Sequence, residues 1–561
     1  MKPASSRSPA ARIVGTVKGP GETGNQYVFI TSDNHHVQIG EYVYYEILDD
    51  RQARQILGKI SAQCLIEHLP DRIFADAAIS PQAIAALVGL THENPEIYEI
   101  TVDVIGYFDP RLGFMNPRKA PDPGAKVYWA EDAMLQAALN RKQPGELGAA
   151  HIGSLLLREA DAVPIVLDVK ELVSTHMAIL AGTGSGKSYT AGVLVEELLL
   201  PHNRAAVLIL DPHGEYHTLA DLRGHAAFTA ADGYAPQVKI LRPDEIRIRL
   251  SSLDFYDMLT LLPQTSERQQ AILDKAFQIL RKYRSGFRWT IQDLMAAVYE
   301  ADTKVDDDGN EVQGTSAAAL EWKLQRLDRS PYFHAFEHTV APQALFEPGQ
   351  VTILQMNEIN QEEQQVICTA VLRQTNFARM NTHKGYLTEE EESYLPYPVF
   401  VLLEEAHRFA PAHESSCCKQ VLRTILSEGR KFGIGVGLIT QRPGKIDSDV
   451  LSQCMSQFIM RIVNPVDQDS LKYGVEAAGR DLLKELPALT KGQVIVAGAC
   501  VNSPVLCKVR TRLTQHGGET LNAPELWQQY FQGHRQQERA LQAAPLAMAK
   551  RSERPRGRSV D

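Results

Sequence analysis

Residues 177–188 read MAILAGTGSGKS, and this stretch constrains the fold more than any other part of the chain. The apolar run from Met177 to Leu180 ends in a glycine-rich turn carrying Lys187 and Ser188, and YTAGVLVEELLL after it reads as a helix. Strand, loop and helix in this order are the setting of a P-loop. The glycines let the backbone curl, so that the N–H groups of Gly182, Thr183, Gly184, Ser185 and Gly186 can face phosphate. The helix start, through Tyr189, adds aligned N–H groups to the same anion site. Lys187 can reach the β and γ phosphates, and Ser188 can hold Mg2+. The pattern is A-x4-G-K-S, with Ala181 at the loosely specified first position. It predicts nucleotide binding on an α/β core, with ATP and Mg2+ as cofactors.

At 561 residues the chain is too long for one core of ordinary size, so several domains are expected. Hydrophobic residues are 44% and charged residues 22%, which is globular rather than fibrous or disordered. No run approaches the roughly 18 apolar residues of a membrane span. The N-terminal MKPASSRSPAAR has no apolar h-region, so a cytoplasmic protein is expected. Seven cysteines are scattered without a CxxC pair, and His407 and His413 lack partners at metal spacing. Free thiols follow, with no zinc site. The net charge of -10 does not advertise nucleic-acid binding, but a local positive channel can coexist with an acidic exterior.

Residues 1–12 read as disordered. From 13 to 130, short β-rich segments separated by Gly, Asn and Asp predict a small β-barrel, with a helical interruption at 80–90. Residues 131–173 read as a connector: a helix and loop over 131–147, then IGSLLL and VPIVLDV within 151–173 approaching the P-loop strand. Residues 174–252 are the first part of the ATPase core. Segments such as SERQQAILDKAFQILRKY within 253–340 carry helical spacing, and TKVDDDGNEVQG among them reads as a polar loop. This is an inserted helical subdomain. The core resumes over 341–515, and 516–561 holds a helix followed by the basic tail KRSERPRGRSVD. The tail reads as solvated, with weak DNA contact as the minor reading.

AAVLILD at 205–211 is a buried strand opening into PHGEY, which brings Asp211, His213 and Glu215 to the ligand face of the sheet. PVFVLLEEAHRFAP at 398–411 is a second buried strand followed by two carboxylates, the order a Walker B element needs. Glu404 would hold the metal, and Glu405 would orient and activate the attacking water. IGVGLIT at 434–440 ends at Gln441, whose amide could sense the γ-phosphate. Arg461, polar within SQFIMRIVN, is either a satisfied core arginine or a phosphate-directed one. RTILSEGRKFG places Arg423, Arg430 and Lys431 at a helix-to-strand junction. An arginine finger for a neighbouring subunit, a DNA contact and a plain basic surface all remain open there.

Together, LAGTGSGKS, LDPHGEY, LLEEAHRFAP, EGRKFGIG, LITQRPGKIDSDVLSQC and MRIVNPVDQDSL, running in this order, resemble the HerA family of hexameric DNA translocases, within the HerA/FtsK group of RecA-like ATPases. The resemblance implies a homo-hexameric ring that pumps double-stranded DNA with a partner nuclease of NurA type, or with an antiphage effector. It also implies Lys187 and Ser188 as Walker A, Glu404 as metal ligand and Glu405 as catalytic glutamate. Gln441 would be the sensor, Arg430 the finger acting in trans, and Asp211 would lie near the nucleotide. Glu404 stands where Asp is common. The function expected is an ATP-driven double-stranded DNA translocase or helicase. The alternative is an ATP-dependent ring scaffold that activates its effector with little translocation. A membrane-bound coupling ATPase is disfavoured by the lack of spanning segments.

Overall fold

The computed structural model describes residues 12–32, 37–49, 52–66, 97–109, 113–117, 120–283, 289–305, 311–474, 483–517, 522–532 and 535. The expectations for the first eleven residues, for a helix at 80–90 and for the basic tail fall outside them. The chain divides into two compact units, residues 1–515 and 516–561. In the second, residues 523–532 are helical. No described helix is long and apolar enough to cross a membrane.

The N-terminal strands are β1 (Ile13–Pro20), β2 (Gln26–Thr31), β3 (Tyr42–Asp49), β4 (Gln52–Leu65), β5 (Tyr98–Asp109), β6 (Gly113–Met115) and β7 (Lys126–Trp129). Pairing runs β1-β2-β5-β4-β3-β7 and returns to β1, which closes a six-stranded antiparallel barrel, and β6 extends β5 as a short hairpin. Alternation along β2 sends Tyr27 and Phe29 inward, where they meet Tyr45, Ile56, Ile100 and Val102. Closure leaves the ring without open edges.

Helix α1 (Asp132–Leu139) leads to β8 (Ala149–Leu155), β9 (Pro164–Asp168) and α2 (Val169–Ser174). Next come β10 (Met177–Leu180), α3 (Lys187–Leu198), β11 (Val207–Asp211) and β12 (Gln237–Leu241). After β13 (Ile248–Arg249) the helical insertion follows: α4 (Phe255–Leu261), α5 (Glu267–Tyr283), α6 (Ile291–Asp302) and α7 (Thr315–Leu327), with β14 (Thr303–Val305) and β15 (Glu311–Gln313) between the last two and β16 (Phe333–His334) at the exit. β17 (Gln350–Gln355), α8 (Gln361–His383), β18 (Val399–Leu403), α9 (Cys417–Glu428), β19 (Ile434–Thr440), β20 (Ser456–Ile459), β21 (Gln493–Gly498) and β22 (Val505–Val509) follow, with shorter helices at Pro342–Leu345, Ser448–Ser452 and Pro465–Gly474.

One eleven-stranded sheet organises these elements in the order β12-β17-β11-β18-β19-β10-β20-β21-β22-β8-β9. From β12 to β20 all neighbours are parallel. β19 lies between β10 and β18. These strands are covered on both faces, so they read as continuous apolar runs rather than alternating ones. Ala178 and Leu180 feed one core, and Met177 and Ile179 feed the other. The first core also takes the insertion, through Ile272, Leu273, Ala276, Phe277 and Leu280 on one face of α5. The second takes Tyr42, Tyr44 and Leu57 of the barrel. Each fully buried Leu or Ile contributes roughly 1.5–3 kcal/mol.

Two segments differ from their sequence reading. The stretch 131–173, read as a connector, supplies two antiparallel strands to the main sheet: β8 pairs β22, and β9 pairs β8. The β22 partner of β8 lies more than 300 residues away in sequence, so local pattern could not place this pair in the main sheet. TKVDDDGNEVQG, read as a loop, contains the antiparallel pair β14 and β15.

Candidate active site

The carboxyl ends of β10, β11, β18 and β19 meet at one edge of the sheet, where open α/β sheets bind ligands. β10 delivers the glycine-rich turn. Gly186, at φ 105, caps α3 in the left-handed region that a side chain disfavours. Gly182 donates its N–H to the Arg461 carbonyl at 2.8 Å, and a Cβ there would lie 2.8 Å from that oxygen. Only glycine lets the turn approach the end of β20 this closely. α3 begins at Lys187, so the N–H groups of its first turn have no partner within the helix. Ser185 is buried, and its hydroxyl returns to the Gly182 carbonyl at 2.7 Å, holding the turn in shape. Thr183 donates its hydroxyl to Gln441 Oε1 at 3.2 Å, which brings the amide at the tip of β19 to the turn.

β18 is buried throughout, and its apolar run ends at Glu404 and Glu405, both nearly inaccessible. Glu405 has φ 51, an uncommon conformation for a residue other than glycine that marks local strain. Lys187 Nζ pairs with Glu404 and lies 3.3 Å from Glu405 Oε1. Burial works against the ammonium, yet the charges of Glu404, Glu405 and Glu215 raise its pKa above the ordinary lysine value. Burial also raises the Glu404 carboxyl to about 7, against the pull of Lys187. Glu405 Oε2 is buried without a hydrogen bond. His407 Nδ1 lies 3.3 Å from it and 3.0 Å from the Thr440 hydroxyl, and burial lowers the His407 pKa, so the ring is neutral near pH 7.

Sequence reading singled out Asp211 but not how it acts. Asp211 is fully buried, and its Oδ1 accepts from the N–H groups of His213, Gly214 and Glu215, while Oδ2 accepts from Tyr216. Both oxygens are spent on its own loop, so the residue reaches the site through that loop. The loop delivers two groups that sequence reasoning passed over as partners. The Ser188 hydroxyl donates to Glu215, and the buried Tyr216 hydroxyl donates to Glu404 Oε2 at 3.0 Å. Their signal was present, since both residues close the PHGEY motif. Tyr189 turns away from the glycine-rich turn, and its hydroxyl accepts from the Arg512 N–H at 2.7 Å.

The donor set suits Mg2+. Ser188 and Glu404 offer hard oxygens, and Glu405 Oε2 is a buried acceptor with no donor. Among the described residues no three His, Cys, Asp or Glu side chains stand close enough to chelate an ion by themselves. An ion here would share its shell with phosphate and water, as Mg2+ does.

A cleft of about 750 Å3 continues from the turn, lined by Gly182, Thr183, Gln441, Arg442, Lys445 and Arg461. Arg461 lies past the end of β20 and is exposed, so it is not a core arginine. Arg423 is held by Asp447 and Asp449, both at 2.9 Å. Arg430 is exposed and borders a separate pocket with His176, Ser427 and Met455, at the entry of β19. Seven residues of β19 separate that end from Gln441, which at roughly 3.3 Å per residue is about 23 Å. Arg430 therefore does not reach its own chain's glycine-rich turn.

The family profile described as "Helicase HerA, central domain" matches residues 150–375. A probable helicase of Methanocaldococcus jannaschii is 30% identical over 428 residues, 74% of this chain and 76% of that protein. The DNA double-strand break repair helicase HerA of Pyrococcus furiosus is 27% identical, over 92% of this chain and 96% of its own length. Among solved structures, VirB4 of Thermoanaerobacter pseudethanolicus matches 66% of this chain and 97% of its own at 14% identity, with a TM-score of 0.45. With the profile match and these sequence relatives added to the strand order and the P-loop site, the chain belongs to the HerA family and is a P-loop ATPase.

Proposed function

We propose that this protein is an ATP-driven translocase or helicase of double-stranded DNA that works as a homo-hexameric ring. Its partner would be a nuclease of NurA type or an antiphage effector. The observation that carries the reading is the division of the machinery between two edges of one sheet. Lys187, Ser188, Glu404, Glu405 and Gln441 gather at the carboxyl edge, while Arg430 stands about 23 Å away at the opposite edge. A site that needs Arg430 must borrow it from a neighbour. Curated relatives named as DNA double-strand break repair helicases support duplex DNA as the substrate.

Gly182 to Ser188 seat the triphosphate of ATP, with the N–H groups of the turn and of the α3 start as donors. Lys187 leaves its carboxylate partners to bind the β and γ phosphates. Ser188 and Glu404 would hold Mg2+, which when bound would neutralise phosphate charge. Glu405 orients the attacking water and takes its proton, aided by its unengaged Oε2. Gln441 monitors the γ-phosphate from the tip of β19. Asp211 positions the loop that carries Glu215 and Tyr216.

The test is ATP turnover and triplex displacement by the full chain with duplex DNA. Duplex should stimulate turnover whatever its sequence, and binding should weaken steeply with salt, because phosphate contacts release counterions. Turnover indifferent to DNA, without triplex displacement, would favour the ring scaffold that activates an effector.

A further inference from the structure

Glu215 is not a residue that a P-loop and a two-acid strand call for, yet it lies inside the site. The Ser188 hydroxyl donates to Glu215 Oε2. The loop carrying Glu215 is clasped from within by Asp211, whose carboxylate accepts four successive N–H groups between His213 and Tyr216 at 2.8 to 3.2 Å. Gly214, at φ 75, supplies the left-handed turn this clasp needs. The next residue, Tyr216, donates to Glu404 Oε2 at 3.0 Å. One loop therefore holds both side chains assigned above to Mg2+, each through a hydrogen bond.

A serine hydroxyl has one proton and two acceptor lone pairs. It serves a cation well only when the proton points elsewhere, and Glu215 is the acceptor that takes it. We propose that Glu215 is a positioning residue of the metal seat: it accepts the Ser188 proton, so that the hydroxyl oxygen presents its lone pairs to a divalent cation. Groups of this kind, one bond behind a ligand, set ligand orientation and basicity. Glu215 acts through Ser188 rather than as a third direct ligand, consistent with the lack of a chelating trio among the described residues. The proposal rests on the reading of Lys187 and Ser188 as the nucleotide and metal seat.

Mn2+ binding, followed by electron paramagnetic resonance with a non-hydrolysable ATP analogue, tests this on the full chain. Glu215→Ala should weaken Mn2+ binding roughly tenfold, and Glu215→Gln less, since its amide oxygen still accepts. In the Ser188→Ala background, Glu215→Ala should cause no further loss, because the proton it accepts is gone. Binding of a fluorescent ATP analogue in EDTA should be unchanged by Glu215→Ala. An unaltered Mn2+ affinity, a full additional loss in the Ser188→Ala background, or an equal loss of nucleotide binding in EDTA would each overturn the proposal. Wild-type protein that takes up no Mn2+ with the analogue would instead remove the seat itself, and the proposal with it.

Discussion

Arg430→Ala should build rings and bind ATP but turn it over roughly a thousandfold or more slowly, because an arginine finger stabilises the charge of the transferring phosphoryl group. Glu405→Gln should be as inactive for a different reason, since it loses the group that activates water. The geometry makes mixtures of the two informative. β19 spans about 23 Å between the two edges of the sheet, so under the proposed trans role of Arg430 each working site would be built from two chains. On that proposal a site takes Glu405 from one chain and Arg430 from its neighbour. In rings assembled at random from equal amounts of the two variants, about one quarter of interfaces join the intact halves, if sites act independently. Turnover per protomer should then recover to about one quarter of wild type, although both parents are inactive. As the mixing ratio varies, recovery should rise and fall as the product of the two fractions, with its maximum at equality. Steady-state ATPase measures this, with differently labelled protomers showing that subunits have exchanged. Exchange without recovery would refute the trans assignment and leave Arg430 as a DNA contact or a loop-shaping residue.

Glu405→Gln should retain ATP binding with little turnover at any magnesium concentration, whereas Glu404→Gln should regain turnover as magnesium rises; a magnesium titration with the opposite pattern would exchange their roles. Glu196→Ala should destabilise the chain by about 3–5 kcal/mol, since it strips a fully buried carboxylate from Arg510, from the N–H groups of Leu513 and Thr514, and from the Thr514 hydroxyl. Urea denaturation would measure it, and a loss near zero would show that the α3 helix is not anchored to the segment after β22 by this cluster.

Much of the site was legible in the chain because each part is local. A buried apolar run that ends in a glycine-rich turn or in two carboxylates has little choice of structure. Parallel strands covered on both faces, with their ligand loops at the carboxyl edge, follow from it. That Gly182 to Ser188, Glu404, Glu405 and Gln441 come together at one edge of the sheet was therefore readable from motif order alone. The barrel was readable from short, regularly punctuated strands.

What sequence could not settle were partnerships between distant segments, because a hydrogen bond or ion pair depends on where the fold brings two side chains and not on their spacing. Asp211 had the position of a ligand-facing acid, but the tertiary structure commits both its oxygens to its own loop. Tyr189 followed the P-loop directly, yet its hydroxyl meets Arg512. Arg423, Arg430 and Arg461 were equally plausible cations in the linear chain. Folding pairs the first with Asp447 and Asp449, sets the second at the edge away from the P-loop, and places the third on the cleft beside it. The motifs by themselves determined that this chain binds phosphate on an α/β sheet. Only the packing of the sheet decided which charges face that phosphate, because the strand order β18-β19-β10-β20 converts residues far apart in sequence into neighbours at one edge.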